Sequence, residues 1–530
     1  MPDKKAIIVG FVSAIAIFLT LFLAGLSLIG DPMLHQTITF TAAAHLIAER
    51  YPLPFSQGTA LHAAENALFG TLDPFSFRMA KNDYSQMREE SSGKYGGIGI
   101  TVAPRDTLLM VLSVRTDGPA FIGGMRSGDY IIRVDSVDVP HDDPRSVTDH
   151  IRGESGTTVA ISVYRPSLSD ILKLEIIRES IKLVHIPYAG LNDDGVAYIH
   201  VTDFEAGAAE DIYEQIEVLE KQNPVGYIID LKNNPGGYLY EAIDAADVFM
   251  NDGDLIVGTD SRSKWEKREL FSSSDPLTAK PIVILTNQGS ASAAEIFSGA
   301  LRGVNRAVVV GDTTFGKGLV QSVFGLSNGD AIRLTTSRYY FADGRFLNPP
   351  DSALAFSGLA PDIIHMGNAE ISFQRLLLSG FLLYDFIEEH REFLSSLPHE
   401  FAYPDSVVTL FGNFLKAQNV KYSSSTTDVI ALAIMRQAVE EASDAVIKQL
   451  NKLRQHSEII DSRAFVRQKE FLLYHIRRLV VEQNEGQTAS YKHVIVPGRS
   501  DIRLASKILL NPDEYKNILE PSSELVSDIQ

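Results

Sequence analysis

The chain has 530 residues, too many for one ordinary domain. Hydrophobic residues make up 45% and charged residues 22%, a globular balance that excludes long disorder. The formal net charge of -19 supplies no basic face for nucleic acid, and the absence of cysteine excludes disulfides, thiolate metal sites and cysteine nucleophiles.

Lys4 and Lys5 precede an uncharged run, Ala6 to Ile29. At about 1.5 Å per residue this run exceeds the roughly 30 Å hydrocarbon core of a bilayer. A secretory signal has a shorter apolar core and a small-x-small cleavage site, and Ala24-Gly25 is a poor match to one. Residues 1–30 are therefore expected to be a transmembrane anchor, with a signal segment as the alternative. The lysines place its start inside, and the rest of the chain on the periplasmic or extracytoplasmic side of the cytoplasmic membrane.

Residues 31–91 read as helical. Thr41 to Arg50 and Ala60 to Gly70 carry apolar residues at helical spacing, and Asp73-Pro74 breaks the second run. Residues 92–180 change to short β-rich runs separated by glycine turns: Gly97–Val102, Leu108–Val114, Tyr130–Val134, Thr158–Tyr164 and Leu172–Ile177. Residues 181–367 alternate strand and helix. Val196–Val201, Val225–Leu231, Pro281–Thr286 and Ala307–Gly311 read as strands; Ala206–Lys221, Tyr238–Met250 and Ser292–Arg302 read as helices. Such alternation implies a sheet covered by helices. Residues 368–530 are expected to form a separate all-helical domain, with runs at Ser372–Leu397, Asp405–Ala417, Thr426–Gln455 and Ser462–Glu482. The fold class is multidomain α/β.

Two constellations carry chemistry. Gly96-Gly97-Ile98-Gly99-Ile100 opens the β domain. Closely spaced glycines let backbone N–H groups converge on an anion, with Ile98 and Ile100 expected to line an apolar pocket beside it. Gly118-Pro119-Ala120, the Gly128-Asp129 turn and Ile151-Arg152-Gly153 follow in order. Together these resemble a PDZ domain of the bacterial protease type, in which a peptide C-terminus adds as a strand and its carboxylate sits among the loop amides. The resemblance implies a tail-binding role for Gly97, Ile98, Gly99 and Ile100.

The second constellation starts at Ser292, which with Glu295 forms an S-x-x-E capping box behind a buried strand. Ser292 as a plain helix cap is the bland alternative. A helix start also offers free N–H groups and a positive dipole to a developing oxyanion. A serine there needs a base. No H-E-x-x-H is present, and the 13 histidines are scattered. Lys317 lies in the glycine-bracketed loop Gly311 to Gly318, after the next strand. A lysine desolvated there loses basicity and can serve as a neutral base. The same stretch meets G-x-x-x-x-G-K, but Gly318 stands where a phosphate loop needs Ser or Thr.

Asp230-Leu231-Lys232-Asn233-Asn234-Pro235-Gly236-Gly237, Ser290 to Ile296, and Thr314 to Gln321 follow one another at a characteristic spacing. Leu72 to Ser76, Met87 to Glu90, Leu334 to Tyr340 and Gly358 to Asp362 accompany them. In this order the chain resembles the C-terminal processing peptidases, also called tail-specific proteases. The resemblance implies a crotonase/ClpP-like α/β protease core. It implies Ser292 as nucleophile, Lys317 as general base, Gln321 as the residue that orients the lysine, and Gly236 or Gly237 with the Ala293 amide as oxyanion hole. Where some members carry a third serine this chain has Ala294. It implies protein or peptide substrates with free, apolar C-termini, a homo-oligomer, and neither metal nor cofactor. A PDZ domain placed upstream of the site is expected to gate it. A PDZ binding protein with a dead protease fold would lack the serine, lysine or glutamine, and all three are present. A crotonase-like acyl-CoA enzyme would not carry the PDZ insertion.

Overall fold

The computed structural model describes residues 32–53, 56–90, 94–105, 107–115, 118–140, 142–168, 170–182, 184–347, 357–365, 381–398, 402–418 and 468–520. The expected anchor, residues 6–29, and the expected helix Thr426–Gln455 lie outside these. Among the described residues no helix is long and apolar enough to cross a membrane. The chain divides into two units, one formed by the residues up to Met79 with Gln321–Thr335, the other by Ala80–Val320 and Thr336 onward.

In the first unit, helices α1 (Pro32–Arg50) and α2 (Gln57–Phe69) lead to strand β1 (Phe77–Met79). Ser56 caps α2 by accepting from the Thr59 amide. Asp73 ends the helical stretch by turning the chain on itself: its carboxylate accepts from Phe75 N–H and from the Ser76 hydroxyl, both at 2.9 Å. β1 pairs antiparallel with Ala331–Arg333.

The second unit begins with α3 (Lys81–Glu90) and β2 (Lys94–Gly97), then builds an antiparallel sheet from β3 (Ile100–Arg105), β4 (Leu108–Val114), β5 (Tyr130–Val134), β6 (Val137–Asp138), β7 (Thr158–Arg165) and β8 (Asp170–Ile177). The order is β3-β4-β5-β7-β8, with β6 beside β5, so β3 is an edge strand. Alternating residues such as Val159, Ile161 and Val163 enter one core with Ile98, Leu109, Ile131, Val147 and Ile151. β9 (Glu179–Lys182) pairs back to β2 and closes the domain.

A six-stranded sheet follows, ordered β10 (Tyr188–Leu191), β11 (Ala197–His200), β12 (Tyr227–Asp230), β15 (Ile282–Thr286), β16 (Val308–Gly311) and β17 (Ile363–Ile364). All neighbours except β10/β11 are parallel. Helices α4 (Ala208–Glu220), α5 (Leu239–Asp247) and α6 (Ala293–Gly303) contribute to the core that covers one face, where Ile199, Ile229, Ile284 and Val309 point. Between α5 and β15 lies the antiparallel pair β13 (Leu255–Asp260) and β14 (Arg268–Phe271), and β13 also pairs with Arg338–Tyr340.

The other face carries Tyr198, Ile228, Val283, Leu285, Val308 and Val310. These strands are buried on both sides, which is why they read as continuous apolar runs. Their second cover comes from far along the chain. Beyond α7 (Leu382–Glu389), α8 (Asp405–Ala417) and α9 (Lys469–Glu485), which share a core of their own, α10 (Ser500–Leu509) and α11 (Pro512–Leu519) lie against this face. Ile502, Ala505, Ile508 and Leu509 fill it. Part of the region expected to be a separate helical domain is thus a layer of the α/β core.

Candidate active site

Parallel strands deliver their following loops to one edge of a sheet, and in such folds that edge holds the site. Here the loops after β12, β15 and β16 meet. The first two are stitched together: Asn287 Nδ2 donates to Asn233 Oδ1, Asn233 N–H to Asn287 Oδ1, the Ser290 hydroxyl to Leu231 O, and Ala291 N–H to Asn234 O, at 2.7–3.0 Å.

Ser292 stands at the turn into α6 with φ 54° and ψ -114°. A non-glycine residue held there carries about 1–3 kcal/mol of strain, which the surroundings must oppose. Glu295 supplies much of that opposition. Its carboxylate is fully buried and accepts from Ser292 N–H (2.8 Å), Gly316 N–H (2.6 Å), Lys317 N–H (2.8 Å) and the Thr314 hydroxyl. Burial pushes the Glu295 carboxyl above its ordinary value, and the four donors pull it back. The glutamate half of the capping box therefore forms. Glu295 N–H in turn bonds to Ser292 O at 2.9 Å.

Glu295 also does what no local motif announces. One carboxylate holds the main chains of Ser292 and Lys317 at once. Tyr339 does so a second time from the other polarity: its buried hydroxyl lies against Lys317 O and, at 3.3 Å, Ser292 O. The phenol is pushed well above its usual value by burial and by the nearby Glu295, so it keeps its proton. Ser292 and Lys317 are both half-buried.

Gly236 and Gly237 have φ of 100° and 155°. A Cβ on Gly236 would lie 2.7 Å from Ala291 O, 2.8 Å from Ala293 N and 2.8 Å from Ser292 Cβ, so only glycine fits against the serine turn. The two amides differ. Gly236 N–H donates to Asn234 Oδ1 at 2.9 Å. Gly237 N–H and Ala293 N–H donate to no acceptor among the described residues. Gln321 belongs to the first unit, where its side-chain amide donates to Thr335 Oγ1 at 3.3 Å and that hydroxyl donates to Asp73 Oδ1 at 3.1 Å.

The loop beneath the glycines rests on a half-buried ion pair the sequence did not single out. Phe204 N–H donates to Gly236 O and Tyr238 N–H to Phe204 O. Beside it, His185 Nδ1 is 2.5 Å from Asp203 Oδ1 and Nε2 is 3.2 Å from Ala206 O. Both ring nitrogens face acceptors, an arrangement that suits imidazolium. Burial opposes that charge, but Asp203, with Asp211 and the Ala206 carbonyl, outweighs it and holds the imidazole above its ordinary value.

In the β domain, the carbonyls of Gly96, Ile98 and Gly99 accept from Gly153, Ala120 and Arg115 amides. The amides of Ile98 and Gly99 donate to no acceptor among the described residues. These open amides sit at the head of edge strand β3. Gly97 pairs with Glu179 in β9. Ile100 is half-buried beside the core. Ile98 differs from expectation: at 2% exposure its side chain belongs to the domain core, so what it offers an anion is its amide.

Residues 195–365 match the model for peptidase family S41, and residues 96–176 match the PDZ domain. The chain is 34% identical over 308 residues to the carboxy-terminal-processing protease of Bartonella bacilliformis, covering 57% of this chain and 69% of the relative. It is 31% identical over 303 residues to the carboxyl-terminal-processing protease of Synechocystis, covering 56% and 70%. It is 32% identical over 271 residues to that of Picosynechococcus, covering 50% and 65%.

Proposed function

The chain belongs to peptidase family S41, among its carboxy-terminal processing proteases, and on that premise we propose that this serine-type peptidase cuts exported proteins with Ser292 and Lys317 after its PDZ domain has engaged an apolar, free C-terminus. The observation that carries the reading is the Glu295 carboxylate, which accepts the amides of both Ser292 and Lys317.

In this mechanism the Ser292 Oγ attacks the scissile carbonyl carbon and its proton passes to neutral Lys317 Nζ. The negative charge moves to the carbonyl oxygen, which the open amides of Gly237 and Ala293 suit, with the start of α6 adding its dipole. Gly236 N–H, already bonded to Asn234, serves the loop instead. The peptide C–N bond breaks as the amine leaves with the proton from Lys317, giving an acyl-enzyme. Water then repeats the steps and releases the acid. Gln321 is proposed to orient the lysine. No step calls on a metal or cofactor.

The open amides of Ile98 and Gly99 suit a terminal carboxylate, and the free edge of β3 suits a strand-like tail. Residues 6–29 are proposed to anchor the protein with its catalytic part on the extracytoplasmic side.

The test uses the full chain in detergent and an unfolded protein ending in apolar residues. Wild type is expected to cut it, Ser292→Ala and Lys317→Ala to leave it intact, and an amidated or charged tail to slow cleavage. Cleavage that survives Ser292→Ala would overturn the assignment.

A further inference from the structure

The long helical region after the protease motifs has no role in the mechanism above, yet it sends a charge into the core. Asp230 ends β12 and begins the loop that runs to Gly236 and Gly237. Its carboxylate is fully buried. Arg499, at the N-cap of α10, donates from Nη1 to Asp230 Oδ2 at 2.5 Å, and the Tyr198 hydroxyl donates to the same oxygen at 2.7 Å. Asp230 Oδ1 accepts the Lys232 amide at 3.1 Å, inside the loop itself.

The rest of the guanidinium is committed to Asp501, with Nε to Oδ1 at 3.0 Å and Nη2 to Oδ2 at 2.6 Å. Asp501 in turn accepts from Lys232 Nζ at 2.8 Å. Two residues of α10 and its cap thus hold two residues of the loop, Asp230 and Lys232, in a closed array of opposite charges. A forked guanidinium satisfies two carboxylates in fixed directions, which a point charge does not. A carboxylate as buried as Asp230 is strongly disfavoured without its cation. The apolar side of α10 fixes where Arg499 stands, because Ile502, Ala505 and Leu509 are seated on the sheet. Asn192 Nδ2 to Ser506 Oγ at 2.8 Å and Ile282 N–H to the Tyr515 hydroxyl at 3.0 Å fasten the same segment.

We propose that Arg499 is a positioning residue for the peptidase reaction, delivered by the C-terminal helices to hold the 230–237 loop, and with it Gly236 and Gly237, against the Ser292 turn. This rests on the reading of Ser292 as nucleophile. The C-terminal segment is then part of the catalytic apparatus rather than an appendage.

The test compares the full chain with Arg499→Met, Arg499→Lys and the double variant Asp230→Asn/Arg499→Met, reading kcat and KM on the apolar-tailed substrate together with thermal melting. Arg499→Met is expected to lower kcat about 100-fold, the size of effect that follows a small misplacement of catalytic groups, with KM held within about threefold. Adding Asp230→Asn is expected to restore part of kcat, since it removes the stranded charge without restoring packing. Arg499→Lys is expected to keep the melting temperature and to lose about tenfold in kcat, the worth of one charge-assisted hydrogen bond. Wild-type kcat in Arg499→Met overturns the proposal, and so does a folded, inactive Arg499→Met that Asp230→Asn fails to relieve. If Arg499→Met does not fold, Arg499→Lys decides: an unchanged kcat overturns the proposal. A wild type whose cleavage persists in Ser292→Ala would instead overturn the active-site reading, while the Asp230/Arg499 coupling remains measurable by melting.

Discussion

Two glycine loops invite comparison, Gly96–Gly99 in the PDZ domain and Gly236–Gly237 in the protease. Each lets backbone approach backbone where a side chain is impossible: a Cβ on Gly96 would lie 1.8 Å from Gly153 O, and one on Gly237 2.3 Å from Phe204 O. They differ in what surrounds them. The protease loop is bonded to its neighbours through side chains and main chain alike, from Val201 and Phe204 on one side to Asn287 and Ala291 on the other. The PDZ loop is held through its carbonyls, leaving the Ile98 and Gly99 amides and a whole strand edge open. Chemistry rewards donors fixed before the transition state arrives, whereas recognition by strand addition needs a sheet that the ligand completes.

Substitution separates the two. Gly236→Ala puts a methyl into Ala293 N and Ser292 Cβ. It is expected to cut kcat about 1,000-fold, the upper range for losing oxyanion stabilisation, and to leave KM for the tailed substrate nearly unchanged in steady-state assays. Gly99→Ala meets ordinary contacts, the nearest being Arg115 at 3.5 Å, but must hold φ 77°. A strain of about 1–2 kcal/mol in the loop is expected to raise KM about tenfold for a free apolar tail, with kcat kept and an amidated tail unaffected. Equal effects of both variants on kcat would break the comparison.

The smallest effect concerns acidity. Among the described residues, the protease loop rests on a titrating pair, His185 with Asp203. The imidazole is raised in the folded state, so its contribution to stability is full below its ordinary value of about 6.5 and is lost as pH rises through the higher folded value. Asp203, held below its ordinary value despite burial because His185 and local donors favour the carboxylate, works in the opposite sense and fails only in acid. The melting temperature should therefore fall as pH rises above about 6.5 in wild type, and less so in His185→Gln. Parallel melting curves for the two across pH 6 to 9 would remove His185 from the account.

Much of this was legible beforehand, and for a physical reason. The strands Leu108–Val114 and Tyr130–Val134 and the helix Asp405–Ala417 fall where local apolar patterning puts them. Ser292, Glu295 and the glycines announce themselves by spacing, since caps and tight turns are local. Longer-range arrangements are not. S-x-x-E gives the bond from Ser292 N–H to Glu295, but nothing in it says that the same carboxylate also takes Gly316 and Lys317. The pair β13/β14 passed unread, β14 being four residues long and largely exposed. Arg499-Ser500-Asp501 looks like solvated charge at a helix start until α10 is docked. The even apolar runs of β12 and β15 say that both faces are covered, not by what.

That last cover has a consequence for how the molecule is made. Synthesis runs from the amino end, so β10 to β17 leave the ribosome before α10 exists. Until residues 491–509 arrive, Tyr198, Ile228, Val283 and Val310 face water and Asp230 has no arginine. Every motif of the protease is by then translated, yet the loop beside the serine still lacks its fastening. On the proposed role of Arg499, full peptidase activity then waits for these closing helices to dock.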